Sequence, residues 1–398
     1  MISRRNFLRN FLRNFLRNFL RNFLQITTLC TGGLLMSCTN ADWISPSVQP
    51  VPNATTQWYM PDEGEPHKRT WMAFGASAAI WGRKLLPEVQ RNLATLALTI
   101  AQFEPVTMLV RSDEYDLAYD LVGADVELLV AGLDDLWIRD TGPTFVRNEA
   151  GVRGAVDLNF NGWGEKQAYS QDATVARLIA TSAEVDYIST ALVLEGGCIE
   201  VDGHGTAIIT ESCVLNDNRN PGVSKVQFEA LLMPLLGLEK IIWLPGIKGM
   251  DITDGHTDFY ARFVRPGVVM AGYDPDPASY DHAVTKEHLA ILESATDAQG
   301  NPLEIIVLEG PTTIRERYAN EEFAAGYIGY YLCNGAVIMQ EFGDPEADAA
   351  AQQALADAFP ARAIVALNVD GIASGGGSIH CETQQEPLDK RKDPYDDI

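Results

Sequence analysis

Short apolar runs alternate with longer amphipathic stretches along the chain from Trp58 to about Gln385. Such runs predict strands, whereas apolar positions at helical spacing predict helices. The predicted strands are 106–110, 126–130, 191–194, 198–201, 206–210, 241–244, 258–264, 267–271, 304–308, 335–340 and 363–367. The predicted helices are 87–103, 113–122, 171–182, 223–236, 278–294 and 346–358. Because strands outnumber helices and often come in pairs, the pattern favours one large α/β domain of repeated strand-rich modules over a simple βαβ sheet.

The first 37 residues follow a different pattern. Ser3-Arg4-Arg5-Asn6-Phe7-Leu8 resembles a twin-arginine export signal. The sequence Arg-Asn-Phe-Leu then recurs five times, starting at Arg5, Arg9, Arg13, Arg17 and Arg21. We interpret these repeats as an expansion of the basic part of the signal. The alternative is a basic amphipathic helix on a membrane surface, because a four-residue period is close to helical.

The rest of the N-terminal region predicts processing and a tether. Residues 26–37 are apolar or small and too short for a permanent membrane span. They lead into Leu35-Met36-Ser37-Cys38, which resembles a lipobox, so we predict lipidation at Cys38 and a periplasmic or envelope-anchored protein; a plain cleaved signal is the alternative. Residues 38–55 are proline-containing and predict a flexible linker. Residues 56–385 then form the predicted domain, and residues 386–398 a polar tail.

Composition and charge restrict the classes of partner. The chain is 46% hydrophobic and 21% charged, which excludes intrinsic disorder and a multi-span membrane protein. It has 54 acidic residues against 30 basic residues, a formal net charge of -24. Such a surface repels phosphate backbones and attracts cations, so we expect a small cationic ligand and no nucleic acid. Contact with a membrane is expected only through the lipid at Cys38.

The cysteines of the predicted domain do not indicate a disulfide framework, although export would place them in an oxidising compartment. Cys198 and Cys213 flank a predicted hairpin that turns at 202–205. In that register the two residues are not opposite one another, so we predict no bridge between them.

Two carboxylates are candidates because each follows an apolar run and precedes glycine. Asp140 ends a predicted strand before Gly142, where a side chain can face a ligand. A turn cap or an arginine partner is the alternative for this residue. Glu195 closes the predicted strand 191–194 before Gly196 and Gly197, which allow close approach to the backbone. A solvent-facing glutamate at a hairpin edge is the alternative there.

A histidine and a carboxylate lie two residues apart in the segment 254–264. Strand alternation would put His256, Asp258, Tyr260 and Arg262 on one face. Such a face can combine proton transfer with cation binding. A structural face of salt bridges is the alternative. A His-x-Asp pair also occurs in metal sites, but no third and fourth ligand has metal-site spacing, so we predict no metal.

Cys381 follows the glycine-rich segment 374–377, which allows unobstructed approach to the residues after it. A free cysteine in this position is a candidate nucleophile, with the thiolate as the attacking species. An inert buried cysteine is the alternative. His380 would point the other way in an extended chain and is therefore a poor candidate for the base.

The order of these segments resembles the agmatine deiminase and bacterial, Porphyromonas-type, peptidylarginine deiminase family of guanidino-group-modifying enzymes. The resemblance covers essentially the whole predicted domain. It rests on Tyr59-Met60-Pro61-Asp62-Glu63, Trp137-Ile138-Arg139-Asp140-Thr141-Gly142-Pro143, Glu195-Gly196-Gly197, Asn216-Asp217-Asn218-Arg219-Asn220-Pro221, Gly255-His256-Thr257-Asp258 and Gly375-Gly376-Gly377-Ser378-Ile379-His380-Cys381-Glu382-Thr383-Gln384-Gln385.

The resemblance implies a five-bladed α/β propeller, or pentein fold, of pseudo-repeated ββαβ units around a central pocket. It also implies hydrolytic deimination without a metal or an organic cofactor. The implied site residues are Cys381 as nucleophile, His256 as general acid and base, Asp140 and Asp258 holding the guanidinium, Glu195 beside it, and Trp137 against the carbon chain of the substrate. Gly64 departs from the agmatine-type sequences, which usually have Trp there, and this leaves recognition of the far end of the substrate open.

The expected substrate is agmatine, converted to N-carbamoylputrescine and ammonia. Residues 158–164 resemble the corresponding sequence of agmatine deiminases and contain no arginine. Peptidylarginine relatives have arginines there that hold a substrate carboxylate. Deimination of arginine in peptides or proteins to citrulline is the alternative, because the peptidylarginine type is secreted. An alternative of another class is a lipid-anchored binding module without chemistry. A nitrilase-type hydrolase should have a lysine near the cysteine, and none lies between Lys286 and Lys390.

Overall fold

The computed structural model describes residues 57–320 and 322–389. The predicted export signal, the lipidation at Cys38 and the linker up to residue 55 lie outside these residues. Within the described part, none of the helices combines the length and the apolar character needed to cross a bilayer.

The strands form five small sheets, and most of the longer helices connect strands within a sheet. The strands are β1 (Trp58–Tyr59), β2 (His67–Phe74), β3 (Val106–Val110), β4 (Glu127–Val130), β5 (Thr144–Asn148), β6 (Arg153–Asp157), β7 (Asp186–Ser189), β8 (Ile199–Val201), β9 (Thr206–Thr210), β10 (Lys240–Leu244), β11 (Ala261–Arg265), β12 (Val268–Tyr273), β13 (Glu304–Glu309), β14 (Tyr331–Cys333), β15 (Ala336–Gln340), β16 (Ala363–Leu367) and β17 (Gln384–Pro387). The longer helices are α1 (Ala78–Ile100), α2 (Tyr115–Val122), α3 (Val175–Ser182), α4 (Lys225–Leu236), α5 (His282–Ser294) and α6 (Pro345–Ala358).

The five sheets share one connectivity. In the second sheet, β8 and β9 pair antiparallel, α4 crosses over, and β10 returns parallel to β9. The same ββαβ order recurs in β5–β6–α3–β7, in β11–β12–α5–β13 and in β14–β15–α6–β16. The predicted five-bladed α/β propeller of ββαβ units is therefore confirmed.

The remaining module joins the two ends of the described chain. The last strand, β17, pairs antiparallel with β2, and β3 and β4 follow in parallel. Glu386 lies in β17 and is fully buried, where it accepts a hydrogen bond from Trp71 and pairs with Arg153. The prediction that the polar tail begins at residue 386 is therefore wrong, because the strand continues through Pro387.

The predicted helices all coincide with observed ones, whereas one strand prediction is wrong and another is right only in part. Helix α1 begins nine residues before its predicted start and bends at Gly82, whose φ is 67°. The segment 191–194 forms no strand; its apolar residues Leu192 and Leu194 pack into the cluster shared by the modules of β5–β6 and β8–β9. The predicted strand 258–264 begins only at Ala261. Strand β2 and several first strands of modules, including β5 and β14, were missed.

Apolar side chains of neighbouring modules pack together in shared clusters, and buried charged side chains also lie in the interior. Arg262 is fully buried and donates to Glu63 Oε1 at 2.7 Å and to Glu200 Oε2 at 2.8 Å. Buried charges are tolerated only when they are paired and hydrogen-bonded. Side chains with unusual protonation states can therefore be held in this interior.

Candidate active site

The predicted site residues lie on or directly beside short helical turns that precede the first strand of each module. These turns are Ile138–Thr141 before β5, Gly196–Cys198 before β8, Thr257–Phe259 before β11, Tyr327–Gly329 before β14 and His380–Glu382 before β17. The turn Ile138–Thr141 contacts the turns Gly196–Cys198 and His380–Glu382, and the turn Thr257–Phe259 contacts the turns Gly196–Cys198 and Tyr327–Gly329. The strand geometry predicted for Asp140, Glu195 and 256–260 is wrong, because each position lies on or beside a turn, and the strand begins only at Ala261. The turns nevertheless bring Asp140, Glu195, His256, Asp258 and Cys381 together.

His256 lies among three carboxylates. Its Nε2 is 3.3 Å from Glu195 Oε2, and its Nδ1 is 3.8 Å from Asp140 Oδ1 and 4.0 Å from Asp258 Oδ1. All four side chains are buried. The imidazole can therefore exchange a proton with groups that lie between it and these carboxylates.

The charges around His256 favour its protonated form. Burial alone would lower the pKa of His256, but the Asp140 carboxylate and the hydrogen bond with Glu195 help to raise it well above its usual value. For Glu195, burial alone would raise the pKa, whereas the hydrogen bond from His256 and the charge of Arg219 lower it to about 2. The pair is thus an imidazolium held against a carboxylate near neutral pH.

Asp140 is oriented from two sides. Trp163 Nε1 donates to its Oδ2 at 2.9 Å, and the backbone N–H of Gly197 donates to its Oδ1 at 3.1 Å. Burial raises the pKa of Asp140, and the charge of His256 opposes that rise. Gly197 is required by close packing, because a Cβ there would lie 2.5 Å from His256 Nδ1.

Asp258 is oriented by His380, which the sequence analysis had set aside. His380 Nδ1 is 2.7 Å from Asp258 Oδ2, and His380 Nε2 is 2.9 Å from Glu63 Oε2. The extended chain assumed for His380 was wrong, because His380–Glu382 is a turn. Burial would raise the pKa of Asp258, but the hydrogen bond with His380 lowers it. Its Oδ1 has no hydrogen-bond partner among the described residues, so it can accept from a bound cation.

Cys381 lies beside Asp258 with its thiol protonated. Its Sγ is 3.8 Å from Asp258 Oδ2 and 3.6 Å from Ser378 Oγ. Burial and the charges of Asp258 and Asp140 raise the pKa of Cys381 well above the usual thiol value. A cation that binds beside these carboxylates would therefore favour ionisation of the thiol.

Trp137 forms an apolar wall beside the glycine-rich loop. Its Nε1 donates to Asp135 Oδ2 at 3.0 Å, and its ring centroid lies 5.8 Å from that of Trp81. A Cβ on Gly377 would lie 1.8 Å from the Trp137 ring, so only glycine fits there. The fixed indole can pack against a flat or aliphatic ligand.

Four residues that support the site were missed by the sequence reasoning, namely Glu63, Trp163, Arg219 and His380. Arg219 Nε donates to both oxygens of Glu195, at 2.8 and 3.0 Å. Glu63 accepts from Arg139 at 3.0 Å as well as contacting His380. All four lie in segments on which the resemblance to the family, or to its agmatine-type members, rests. That resemblance is the signal that could have identified them.

Cys198 and Cys213 meet in spite of the hairpin register. Strands β8 and β9 do pair as an antiparallel hairpin, but Cys213 lies beyond it on the turn Glu211–Val214. Each Sγ is 3.5 Å from Glu195 Oε2, and both cysteines are free. With Glu195 and His256 they form a four-residue group of metal-ligating type, which the ligand spacing in the sequence does not indicate.

Gly64, the departure from the agmatine-type sequences, is part of a different cavity. This cavity is lined by Asp62, Gly64, Asp202, Arg265 and Arg362 together with their neighbours, and by none of the predicted site residues.

Glu382 makes stability depend on pH. Neither carboxyl oxygen has a hydrogen-bond partner within the described chain, and burial together with the charges of Asp135 and Asp140 raises its pKa well above its usual value. In the unfolded chain the Glu382 carboxyl group ionises at about pH 4.3. Above that pH the folded state binds one more proton than the unfolded state, so the folded state loses stability as pH rises. We expect Glu382→Gln to be increasingly more stable than the parent from about pH 5 to about pH 8, by at most about 1.4 kcal/mol per pH unit.

Urea unfolding at both pH values measures this difference. Glu309→Gln, at an exposed position, is the matched control and should change little. A stability difference for Glu382→Gln that is the same at both pH values would show that Glu382 is ionised in the folded protein.

The fold and the site together define a class: an α/β propeller with a buried thiol, imidazole and several carboxylates on the turns between its modules. The family model described as Porphyromonas-type peptidyl-arginine deiminase matches residues 59–387. The chain belongs to this family.

Relatives and solved structures agree with this assignment. The chain is 40% identical over 335 residues to a putative agmatine deiminase of Streptomyces coelicolor, covering 82% of this chain and 98% of the relative. It is 38% identical over 354 residues to an agmatine deiminase of Stutzerimonas stutzeri, covering 83% and 95%. The structure of an agmatine deiminase of Enterococcus faecalis superposes with a TM-score of 0.79 at 32% identity, covering 84% of this chain and 97% of that one.

Proposed function

We propose that the protein is a hydrolase of linear amidines that converts agmatine and water to N-carbamoylputrescine and ammonia. The observation that carries this proposal is the convergence of Cys381, His256, Asp140 and Asp258 in one buried site. Relatives of the chain are named agmatine deiminase, which supports the same substrate.

The carboxylates bind the guanidinium group. Asp258 Oδ1 is free of hydrogen bonds within the described residues, and Asp140 is held in place by Trp163 and Gly197. Two carboxylates can receive paired, charge-assisted hydrogen bonds from one planar cation. This binding places the guanidinium carbon in line with Cys381 Sγ. The positive charge also favours ionisation of the thiol, which is protonated in the free enzyme.

Cys381 and His256 then share the chemistry. The thiolate forms a C–S bond to the guanidinium carbon, and a C–N bond breaks as His256 donates a proton to the departing ammonia. An amidino group remains on Cys381 as a thioether. His256, now neutral, removes a proton from water, which attacks the same carbon. The adduct then collapses to the ureido product and the thiolate, and the second proton of the water passes to solvent. Glu195 holds the imidazole, and Trp137 packs against the carbon chain.

Agmatine is favoured over arginine in a peptide by the segment around Trp163. This segment contains no arginine that could hold a carboxylate, and Trp163 contacts Asp140 through its indole N–H. The net charge of -24 also favours a dication over a zwitterion. Conversion of peptidyl-arginine to citrulline is the second candidate, because the family is described by that activity. A binding module alone would not need the thiol and the imidazole beside the acids.

Ammonia release from agmatine, free arginine and a peptide ending in arginine, assayed side by side, tests the proposal. We expect turnover of agmatine with little or none of the other two. Turnover of the peptide without turnover of agmatine would assign the second candidate function. Binding of cations without ammonia release from any of the three would assign the binding module.

A further inference from the structure

The group formed by Glu195, Cys198, Cys213 and His256 has the composition of a metal site. One donor atom from each of the four residues lies within 4.8 Å of all the others, and all four residues are buried. The proposed deimination uses the imidazole and the carboxylate, but it gives no role to the two thiols. The presence of Cys198 and Cys213 beside His256 is therefore not explained by deimination.

The separations between these donors fit tetrahedral coordination. A zinc ion has Zn–S distances of about 2.3 Å and Zn–N and Zn–O distances of about 2.0–2.2 Å, which puts neighbouring tetrahedral donors about 3.3–3.8 Å apart. Glu195 Oε2 lies 3.5 Å from Cys198 Sγ, 3.5 Å from Cys213 Sγ and 3.3 Å from His256 Nε2. Three edges of the tetrahedron thus have the required length.

The surroundings also balance the charge of such a complex. Two thiolates, one carboxylate and a neutral imidazole around a divalent cation have a net charge of about -1. Arg219 is buried and donates from Nε to both oxygens of Glu195, so its positive charge offsets that of the complex. Soft thiolates combined with an imidazole select zinc over magnesium or calcium.

We propose that this group binds Zn²⁺ and that the bound ion inhibits the enzyme. Binding releases the protons of the two thiols and of the imidazolium. With Nε2 of His256 coordinated, the imidazole keeps only the proton on Nδ1, and giving that proton to departing ammonia would leave an imidazolate. His256 is then a much weaker acid than the imidazolium, and it has no free nitrogen to take a proton from water. The inhibition rests on the proposed function, whereas the binding of the ion does not.

Spectroscopy of the Co²⁺-loaded protein tests binding without reference to activity. The full chain, kept reduced with a phosphine, is titrated with Co²⁺, and thiolate-to-cobalt charge-transfer absorption is recorded for the parent and its variants. We expect the absorption to persist in Cys381→Ser and Cys333→Ser, to fall in Cys198→Ser and in Cys213→Ser, and to vanish in the double variant. Cys198→Ala repeats the cobalt titration with a second substitution at the same position. Absorption that survives in the double variant, or that is lost in Cys381→Ser, overturns the site.

Zinc titration of ammonia release tests inhibition. We expect Zn²⁺ to inhibit the parent, and chelation by EDTA to restore activity. Loss of a residue that only contacts a metal ligand lowers metal affinity by about 10–100-fold. Cys198→Ser changes a ligand itself, so the inhibitory concentration of Zn²⁺ should rise by more than that. Cys333→Ser, which changes a buried thiol outside the group, should keep the sensitivity of the parent. Equal sensitivity of Cys198→Ser and the parent overturns the inhibitory role. If no substrate is turned over, the cobalt titration alone still decides whether the ion binds.

Discussion

Cys381→Ser is expected to release no measurable ammonia from agmatine while it still binds agmatine. Serine has nearly the same size, so Asp140 and Asp258 should hold the guanidinium as before. A hydroxyl is a much weaker nucleophile at neutral pH than a thiol, and it stays protonated even when a cation binds. Single-turnover ammonia release and calorimetric binding of agmatine measure the two effects separately.

The matched control is Cys333→Ser, because Cys333 is also buried and free but lies at the end of strand β14 and not on the turn His380–Glu382. It should keep the turnover of the parent. A haloacetamidine, which carries its own positive charge, should label Cys381 in the parent faster than neutral iodoacetamide does, because the free thiol has a raised pKa. Ammonia release by Cys381→Ser at the parental rate would require a different nucleophile.

The module architecture was visible in the sequence only as paired strands. The five modules repeat backbone geometry rather than residue types. The turn that carries Asp140 and the turn that carries Cys381 occupy equivalent positions but have no sequence in common. No periodic pattern therefore indicates the repeat. The pairing of β17 with β2 joins segments that are more than 300 residues apart along the chain, and local propensity has no information on such a contact.

The wrong predictions concern charged residues that are buried and apolar residues that lie outside strands. Glu386 was assigned to a solvated tail because charged residues are usually exposed, but this chain buries paired charges between its modules. Leu192 and Leu194 were assigned to a strand because they are apolar, and they are buried without being in a strand. His380 was dismissed because an extended backbone was assumed.

The site residues themselves could be identified because the chemistry requires particular residue types. It does not require a particular backbone conformation, so errors in the predicted secondary structure did not affect their identification. The assumed strand around His256 does not exist, yet His256 and Asp258 both point into the site. The residues that hold them, such as Arg219 and Trp163, are identifiable only from contacts. A buried arginine or tryptophan has many possible structural roles, and the sequence does not distinguish among them.

His256→Asn is expected to lower kcat for agmatine by about 10²–10⁴-fold, with a smaller effect on KM. The carboxylates that bind the guanidinium remain, but ammonia departs without a proton donor. Buried His288 contacts Tyr260 and lies outside the site, so His288→Gln is the matched control and should retain kcat. Steady-state ammonia release measures both variants.

A substrate with a better leaving group separates an acid–base role from a structural one. In the S-methylisothiourea analogue of agmatine, methanethiol replaces ammonia as the leaving group, and attack by Cys381 yields the same amidino thioether. Departure of methanethiol needs less help from an acid, whereas hydrolysis of the thioether still needs a base to activate water. His256→Asn should therefore accumulate a covalent adduct on Cys381 with this analogue, detectable by mass spectrometry, and should form little adduct with agmatine. Equal loss with both compounds and no adduct from either would mean that His256 only maintains the shape of the site.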